Sequence, residues 1–108
     1  MDIQEMMKQA QVMQERMQKM QEELAEKEVY GESGGGLVKV TMTCKGELRK
    51  LDISPDLLKP EEKETVEDLI MAAMNTARSN ADETLASETQ KMMAEFGLSG
   101  AGGLPGGF

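Results

Sequence analysis

The first quarter of the chain carries the pattern that most constrains the fold. Between Asp2 and about Lys27 the apolar side chains recur at alternating steps of three and four residues, and no Gly, Pro or aromatic residue interrupts them. This a/d spacing of a heptad repeat predicts one long helix with a narrow apolar seam, as in a coiled coil. The seam consists of Ile3, Met6, Ala10, Met13, Met17, Met20 and Leu24.

The length of this helix indicates that its seam needs a partner. A helix of this span is roughly 39 Å long at about 1.5 Å per residue. The strands predicted further on have about seven residues each, or roughly 23 Å at about 3.3 Å per residue. Packing on the chain's own sheet therefore covers only part of the seam, and we expect the rest to associate with a second copy of the chain.

The composition of the 108 residues indicates a single, non-enzymatic domain. There is no His, which removes the commonest general base and the commonest metal ligand. The single Cys44 lacks partners for an internal disulfide or a metal site. Carboxylate pairs such as Glu22-Glu23 and Glu61-Glu62 lie in helical charge runs, which are typical of solvated surfaces. We expect no catalysis, cofactor, bound metal or small-molecule substrate.

Charge and hydropathy restrict the class of partner. The formal net charge is −8, which argues against a uniformly basic nucleic-acid-binding protein. No apolar run is long enough to cross a membrane, and no basic segment followed by an apolar one resembles a leader. The expected location is therefore cytoplasmic, without a membrane partner.

Three short strands are predicted after the first helix. Glu28–Ser33 is the first, and a Gly-rich turn at 34–36 connects it to the alternating run Leu37–Cys44. We favour a turn over a phosphate-binding loop because a β-branched strand follows, whereas a phosphate loop needs a helix N-terminus. Lys45-Gly46 is predicted to be a tight hairpin turn leading to Glu47–Ile53.

A two-residue turn would set the register of this hairpin by placing Cys44 opposite Glu47. One face would then carry the apolar side chains, with Met42 and Arg49 near the turn, and the other face most of the polar ones. The apolar face comprises Val38, Val40, Leu51 and Ile53, and the polar face comprises Lys39, Asp52, Thr41, Lys50, Thr43 and Leu48.

A second long helix is predicted to begin at Pro60 and to end at Phe96-Gly97, since Pro suits a first helical turn and Gly the residue past a helix end. Its apolar stripe is strong through Ala81 and weak after it. Residues 97–108 contain six Gly and one Pro, which predicts a flexible tail. The domain is thus expected to span residues 1–96.

The charges are distributed unevenly along the chain. Residues 37–51 contain four basic side chains against one acidic, a net charge of +3, whereas residues 52–96 contain four basic against eleven acidic. The hairpin is therefore a basic segment in an acidic chain. An ordinary structural role is the alternative, because Lys39 lies opposite Asp52 in the predicted register and exposed Lys is common on sheets.

Several short motifs, in this order and spacing, resemble one known family over nearly the whole chain. They are Met6-Met7-Lys8-Gln9-Ala10, Gly31-Glu32-Ser33-Gly34-Gly35-Gly36-Leu37-Val38-Lys39-Val40, Gly46, Asp52-Ile53-Ser54-Pro55, Glu67-Asp68-Leu69-Ile70 and Ala72-Ala73-Met74-Asn75-Thr76-Ala77. The chain resembles the YbaB/EbfC family of bacterial nucleoid-associated proteins. At Ser33 it departs from the small apolar residue that is more frequent in the family.

The resemblance implies an α+β fold, α-β-β-β-α, in an intertwined homodimer whose helices project like tweezers. It also implies a nucleoid location and binding to double-stranded DNA, with little sequence specificity, that bends or compacts the DNA. The alternative is a non-enzymatic interaction scaffold or chaperone-like dimer, since Met-rich helix surfaces adapt to varied partners.

Charge placement then supplies the candidate DNA-binding residues. The hairpin contributes Lys39, Lys45, Arg49 and Lys50, and the first helix contributes Lys8, Arg16, Lys19 and Lys27. We favour the hairpin because its local charge is positive, whereas Glu15, Glu22, Glu23 and Glu26 lie among the cations of the helix.

Overall fold

The computed structural model describes residues 2–97 and confirms the α+β fold, with a long helix, a three-stranded antiparallel sheet and a second long helix. Two single-turn 3-10 segments, Pro55–Leu57 and Pro60–Glu62, precede the second helix. The elements are α1 (Ile3–Glu26), β1 (Glu28–Ser33), β2 (Val38–Thr43), β3 (Leu48–Ile53) and α2 (Lys63–Glu95). Apart from Gly97, the predicted flexible tail lies outside the described residues.

The chain divides into two compact units. One comprises residues 1–23 and 86–108, and its described part contains most of α1 and the C-terminal end of α2. The other comprises residues 24–85, with the whole sheet, the end of α1 and most of α2.

Helix α1 extends over the predicted seam. Asp2 supports its start, because its side chain accepts a hydrogen bond from the Gln4 N–H at 3.2 Å and its carbonyl accepts one from the Met6 N–H at 3.1 Å. The helix ends at Glu26, and the carbonyl of Lys27 accepts a hydrogen bond from the Cys44 N–H at 2.9 Å. The chain thus passes directly from α1 into β1.

The sheet has the order β1-β2-β3, and the predicted β2–β3 register is confirmed away from the turn. The pairs found there are Val38 with Ile53, Lys39 with Asp52, Val40 with Leu51 and Thr41 with Lys50.

The predicted two-residue turn is wrong. The register shifts after Thr41, so that Met42 faces Leu48 rather than Arg49. The Thr43 N–H donates to the Glu47 carbonyl at 2.8 Å, which leaves three residues, 44–46, in the connection. Gly46 has a φ of 92°, so this loop has the left-handed Gly and adjacent bulge of three-residue hairpins.

The core lies between one face of the sheet, here called the inner face, and α2. Val38 and Val40 are buried on this face, and Ala73 and Ala77 are buried on the helix, as the helical stripe predicted. A Cβ at Gly31 would lie only 2.2 Å from the Ala73 carbonyl oxygen and 2.6 Å from the Ala77 nitrogen. Gly31 therefore lets the helix backbone approach β1 directly.

Two hydrogen bonds join β1 to α2 beside this close approach. The Ser33 hydroxyl donates to the Leu69 carbonyl at 2.6 Å, and the Asn80 side-chain amide donates to the Tyr30 carbonyl at 2.7 Å. The departure at Ser33 thus has a structural use, because a hydroxyl there can donate to the Leu69 carbonyl of α2.

The second helix differs at its start from the prediction and agrees at its end. Pro60 begins a 3-10 turn, and α-helical geometry begins only at Lys63. At the other end, α2 stops at Glu95 and Gly97 has a left-handed φ of 72°. This conformation suits Gly, as expected for the residue past a helix end.

Candidate nucleic-acid interface

The sheet face opposite the α2 core, here called the outer face, brings together two of the predicted hairpin cations. Lys39 and Lys50 are both exposed and line the same cavity of about 460 Å³. Thr76 and Asn80 of α2 line its edge, beside Tyr30 of β1. The cavity is thus open, and cationic side chains form part of its lining.

Acidic side chains alternate with these cations across the strands. Glu32 lies opposite Lys39, and Lys39 lies opposite Asp52, so that negative and positive charges follow one another in a row. Among residues 2–97, neither Lys39 nor Lys50 forms an ion pair within 4.0 Å. The two ammonium groups are therefore accessible, in a field that neighbouring carboxylates weaken.

Arg49 differs from Lys39 and Lys50 because its side chain forms ion pairs. Its Nε lies 2.6 Å from Glu47 Oε1, and its Nη2 lies 3.4 Å from both Glu26 Oε2 and the Ala25 carbonyl. The charge of Glu47 is the main cause of a raised pKa at Arg49; desolvation opposes the shift and Glu26 adds to it. These carboxylates compensate the charge of Arg49 locally. The contacts with Glu26 and Ala25 also connect β3 to the end of α1.

The remaining predicted cations near the sheet lie in connections. Lys45 is exposed in the three-residue turn between β2 and β3, and Lys27 is exposed between α1 and β1. The hairpin cations are therefore divided between the outer face, the turn and the ion pairs of Arg49 rather than gathered in one patch.

Three cations of α1 lie in the unit that contains most of α1 and the C-terminal end of α2. Arg16 forms an ion pair with Glu95, and Lys19 lines a cavity of about 250 Å³ that also contains Glu23 and Glu88. Lys8 lines a more apolar cavity of about 610 Å³. Of the three, Arg16 alone is ion-paired among the described residues.

The predicted seam of α1 is covered unevenly. Leu24 is buried within its own chain, and Met13 and Met20 are half-buried. The remaining seam residues are exposed: Ile3, Met6, Ala10 and Met17. Part of the seam therefore has no cover within the described chain.

Tyr30 and Asn80 were missed by the sequence reasoning. The Tyr30 side chain is 63% exposed on the outer face, and a tyrosine there offers a flat surface and a hydroxyl next to Lys39. A signal was available, because Tyr30 occupies a polar position of an alternating strand. No sequence signal indicated the role of Asn80, since fifty residues separate it from its hydrogen-bond partner Tyr30.

Within the described residues no group of three or more His, Cys, Asp or Glu side chains is arranged to hold a metal ion. Neither helix there is both long enough and apolar enough to cross a membrane.

Comparison with known proteins gives consistent results. The sequence model of the YbaB/EbfC DNA-binding family matches residues 1–96. A protein of Neisseria meningitidis named nucleoid-associated protein is 54% identical over 104 residues, which cover 94% of this chain and 86% of that protein. A nucleoid-associated protein of Caldanaerobacter subterraneus is 46% identical over 99 residues, covering 92% and 89%.

A solved structure shares the fold. The crystal structure of an uncharacterized protein from Helicobacter pylori superposes with a TM-score of 0.75 at 27% sequence identity. The match covers 86% of this chain and 98% of that one. The arrangement of long helices and a three-stranded sheet therefore occurs also in that Helicobacter pylori protein.

Proposed function

The chain belongs to the YbaB/EbfC DNA-binding family, and from this premise we propose that it is a nucleoid-associated protein that binds double-stranded DNA as a homodimer. It binds with little sequence specificity and bends or compacts the DNA. The observation that carries the proposal is the family match over residues 1–96, supported by relatives named nucleoid-associated proteins. The family is a DNA-binding family and not an enzyme class. Its site of action is the nucleoid, within the cytoplasm.

Low specificity follows from the type of side chain available. Lys39, Lys50, Lys8 and Lys19 are exposed ammonium groups, which contact phosphates as point charges and carry no sequence information. Affinity from such contacts is steeply salt-dependent. The surrounding carboxylates repel DNA, but this repulsion is screened beyond about 8 Å at physiological ionic strength.

The hairpin is the favoured DNA-binding surface. Its segment has a net charge of +3, and two of its cations share the outer face with Tyr30, whose ring adds a polar hydroxyl. Helix α1 is the second surface. Its Lys8 and Lys19 stand among more acidic neighbours, as the cavity that Lys19 shares with Glu23 and Glu88 illustrates.

Homodimerisation is supported by the uncovered part of the α1 seam. Ile3 is 71% exposed and Met6 is 53% exposed, values that are unfavourable for apolar side chains in water. Replacing Met13 and Met17 by Lys should place charges in the seam and weaken association. Sedimentation that shows a folded wild-type monomer at micromolar concentration would exclude the homodimer.

DNA binding is tested by titrating two duplexes of equal length and unrelated sequence at about 50 and about 200 mM salt. We expect similar affinities for both duplexes and a large loss at the higher salt. A preference of about a thousandfold for one duplex would contradict low specificity. A donor–acceptor pair at the duplex ends reports bending in the same titration, because a bend brings the two dyes closer.

The surface is identified with two matched double variants, each of which removes two positive charges. Lys39→Ala with Lys50→Ala tests the outer face of the hairpin, and Lys8→Ala with Lys19→Ala tests α1. Arg49 and Arg16 are left intact because they form ion pairs with carboxylates. The variant that removes cations from the DNA-binding surface should flatten the log–log salt dependence by about 0.9 for each phosphate that is no longer neutralised. Equal, unchanged slopes would exclude both surfaces.

A scaffold that binds other proteins is the second candidate. It is favoured by the exposed apolar surface of α1, where Met6, Met7 and Met17 are at least 45% exposed, and by the net charge of −8. If the wild-type protein binds neither duplex even at the lower salt, the scaffold replaces the DNA-binding function.

A further inference from the structure

The outer face of the sheet carries an aromatic ring that the described chain leaves largely uncovered. Tyr30 is 63% exposed, and within residues 2–97 its hydroxyl forms no hydrogen bond. It occupies an exposed position of β1 between the buried residues Val29 and Gly31. A tyrosine has an apolar ring and a polar hydroxyl, so at this position both are accessible to a ligand.

The strand register places two ammonium groups beside this ring. Tyr30 lies opposite Thr41, which in turn lies opposite Lys50. Lys39 is the diagonal neighbour of both Tyr30 and Lys50. Diagonal neighbours are about 7–8 Å apart, and residues two strands apart in one row are about 10 Å apart. These side chains line one cavity of about 460 Å³, a volume that accommodates a molecule of nucleotide size.

Two carboxylates distinguish this face from a simple phosphate-binding patch. Glu32 and Asp52 lie on either side of Lys39, and within residues 2–97 neither forms an ion pair within 4.0 Å. For duplex DNA, whose bases are paired, these carboxylates only add repulsion to the phosphates. For an unpaired base they are hydrogen-bond acceptors, since a carboxylate accepts from an exocyclic amino group such as that of cytosine.

This combination of side chains matches single-stranded nucleic acid. Unpaired bases stack on exposed aromatic rings and form hydrogen bonds through edges that a duplex hides, while cationic side chains contact the backbone. A base inside a duplex is stacked between its neighbours, so the Tyr30 ring is of no use to it. An unpaired base therefore uses the ring, the carboxylates and the lysines, whereas a duplex uses the lysines alone.

We propose that the outer face binds single-stranded DNA, with one unpaired base stacked on Tyr30 and the adjacent phosphates on Lys39 and Lys50. Glu32 or Asp52 accepts a hydrogen bond from the edge of that base. The occupant is DNA because the chain belongs to a DNA-binding family. This activity goes beyond the binding of double-stranded DNA proposed above and does not depend on it. Cytosine is bound more tightly than thymine, which lacks an exocyclic amino group.

Substitutions of Tyr30 test the stacking. Fluorescence anisotropy with the full chain measures its affinity for an oligonucleotide of about 15 cytidines and for a duplex of equal length. Tyr30→Leu should weaken binding of the single strand about tenfold to a hundredfold and leave duplex binding unchanged. Tyr30→Phe retains the ring and should restore most of the affinity. Phe96→Leu is the matched control, because it makes the same aromatic-to-aliphatic change in the other compact unit and should have no effect.

A comparison of oligo(dC) with oligo(dT) tests the contact to the base edge. The wild type should prefer oligo(dC) about tenfold, because thymine cannot offer the amino group to a charged acceptor. Glu32→Ala with Asp52→Ala removes both carboxylates and should abolish most of this preference. If the carboxylates merely repel phosphates, the double variant would bind both oligonucleotides more tightly and keep the preference, which would overturn the base contact.

Three further outcomes decide the proposal, with circular dichroism verifying the fold of each variant. No binding of the single strand by the wild type at about 50 mM salt would overturn it, as would equal weakening of single strand and duplex by Tyr30→Leu. An RNA of the same sequence that binds about tenfold more tightly would overturn DNA as the occupant. Single-strand binding that depends on Tyr30, without any duplex binding, would support the outer-face site and refute the proposed duplex function.

Discussion

The two outer strands of the sheet, β1 and β3, have the same length but differ in their contacts with α2. Strand β1 has a glycine where α2 approaches, a hydroxyl that bonds to Leu69 and a carbonyl that bonds to Asn80. Strand β3 has no such hydrogen bond to α2 in the described structure, and its Leu48 and Leu51 are both 42% exposed. The chain therefore covers one edge of its sheet and leaves the other edge unpaired among residues 2–97.

This difference indicates that the small residues of β1 and α2 serve one particular contact, the crossing of α2 over β1. Gly31 and Ala73 permit an approach between backbones that larger side chains would prevent, and the polar bonds beside them hold the helix at that place. On β3 the side chains are larger, and Arg49, Lys50 and Asp52 are charged. Such a surface suits pairing with another strand better than packing against a helix.

The largest expected effect is that of Gly31→Ala. The new Cβ would lie 2.2 Å from the Ala73 carbonyl oxygen, which is backbone and cannot rotate away. We expect a loss of about 3 kcal/mol in the free energy of unfolding, from overpacking and displacement of α2. Urea denaturation at one fixed protein concentration measures it.

Gly35→Ala is the control for this substitution. Gly35 has a φ of 68°, but a Cβ at this position would meet no atom within 4 Å, so the variant tests left-handed backbone strain alone. Its expected cost is about 1 kcal/mol. Equal losses for both variants would show that the close approach of α2 to β1 contributes nothing.

The second prediction compares buried and open positions of the inner face. Val38 is fully buried, so Val38→Ala should cost about 2 kcal/mol at any protein concentration. Leu51→Ala should cost less than about 1 kcal/mol in dilute protein, because the side chain is 42% exposed in the protomer. Urea denaturation of both variants measures the two losses, and equal losses would contradict this difference in burial.

The smallest expected effect is that of Asn80→Ala. It removes the hydrogen bond to the Tyr30 carbonyl, which is worth about 1 kcal/mol, and the freed carbonyl is partly compensated by water. Amide hydrogen exchange of β1 should increase along with the loss of stability. Asn75→Ala, on an exposed position of the same helix, is the control and should not destabilise. If the two variants behave alike, Asn80 does not protect the β1 edge.

Much of the fold could be predicted because it depends on local patterns. The heptad spacing predicted α1, the alternation of Val38 and Val40 predicted a strand with one buried face, and Gly97 marked the end of α2. Each signal lies within a few residues of the structure that it specifies. The turn at Gly46 was predicted with the wrong length, because both two-residue and three-residue hairpin loops accept a glycine there and the choice between them depends on the twist of the paired strands.

The candidate site was predictable only as a set of residues. Net segment charge pointed to Lys39, Lys45, Arg49 and Lys50 alike, but their surroundings separate them. Arg49 is held by Glu47 and by Glu26, a residue more than twenty positions earlier in the chain. No property of residues 37–51 alone indicates that pairing, because it is the end of α1 that supplies the second carboxylate.

The sequence by itself determined the order of the long helices and strands and the register of the central β2–β3 pairs, since these follow from short-range periodicity and cross-strand complementarity. Only the tertiary structure decided that α2 crosses β1 at Gly31, that Asn80 covers one edge and that β3 is left open. These outcomes depend on interactions between residues forty to fifty positions apart, where the geometry of approach between backbones selects the arrangement. A periodic pattern specifies which face is apolar, but steric fit specifies what lies against it.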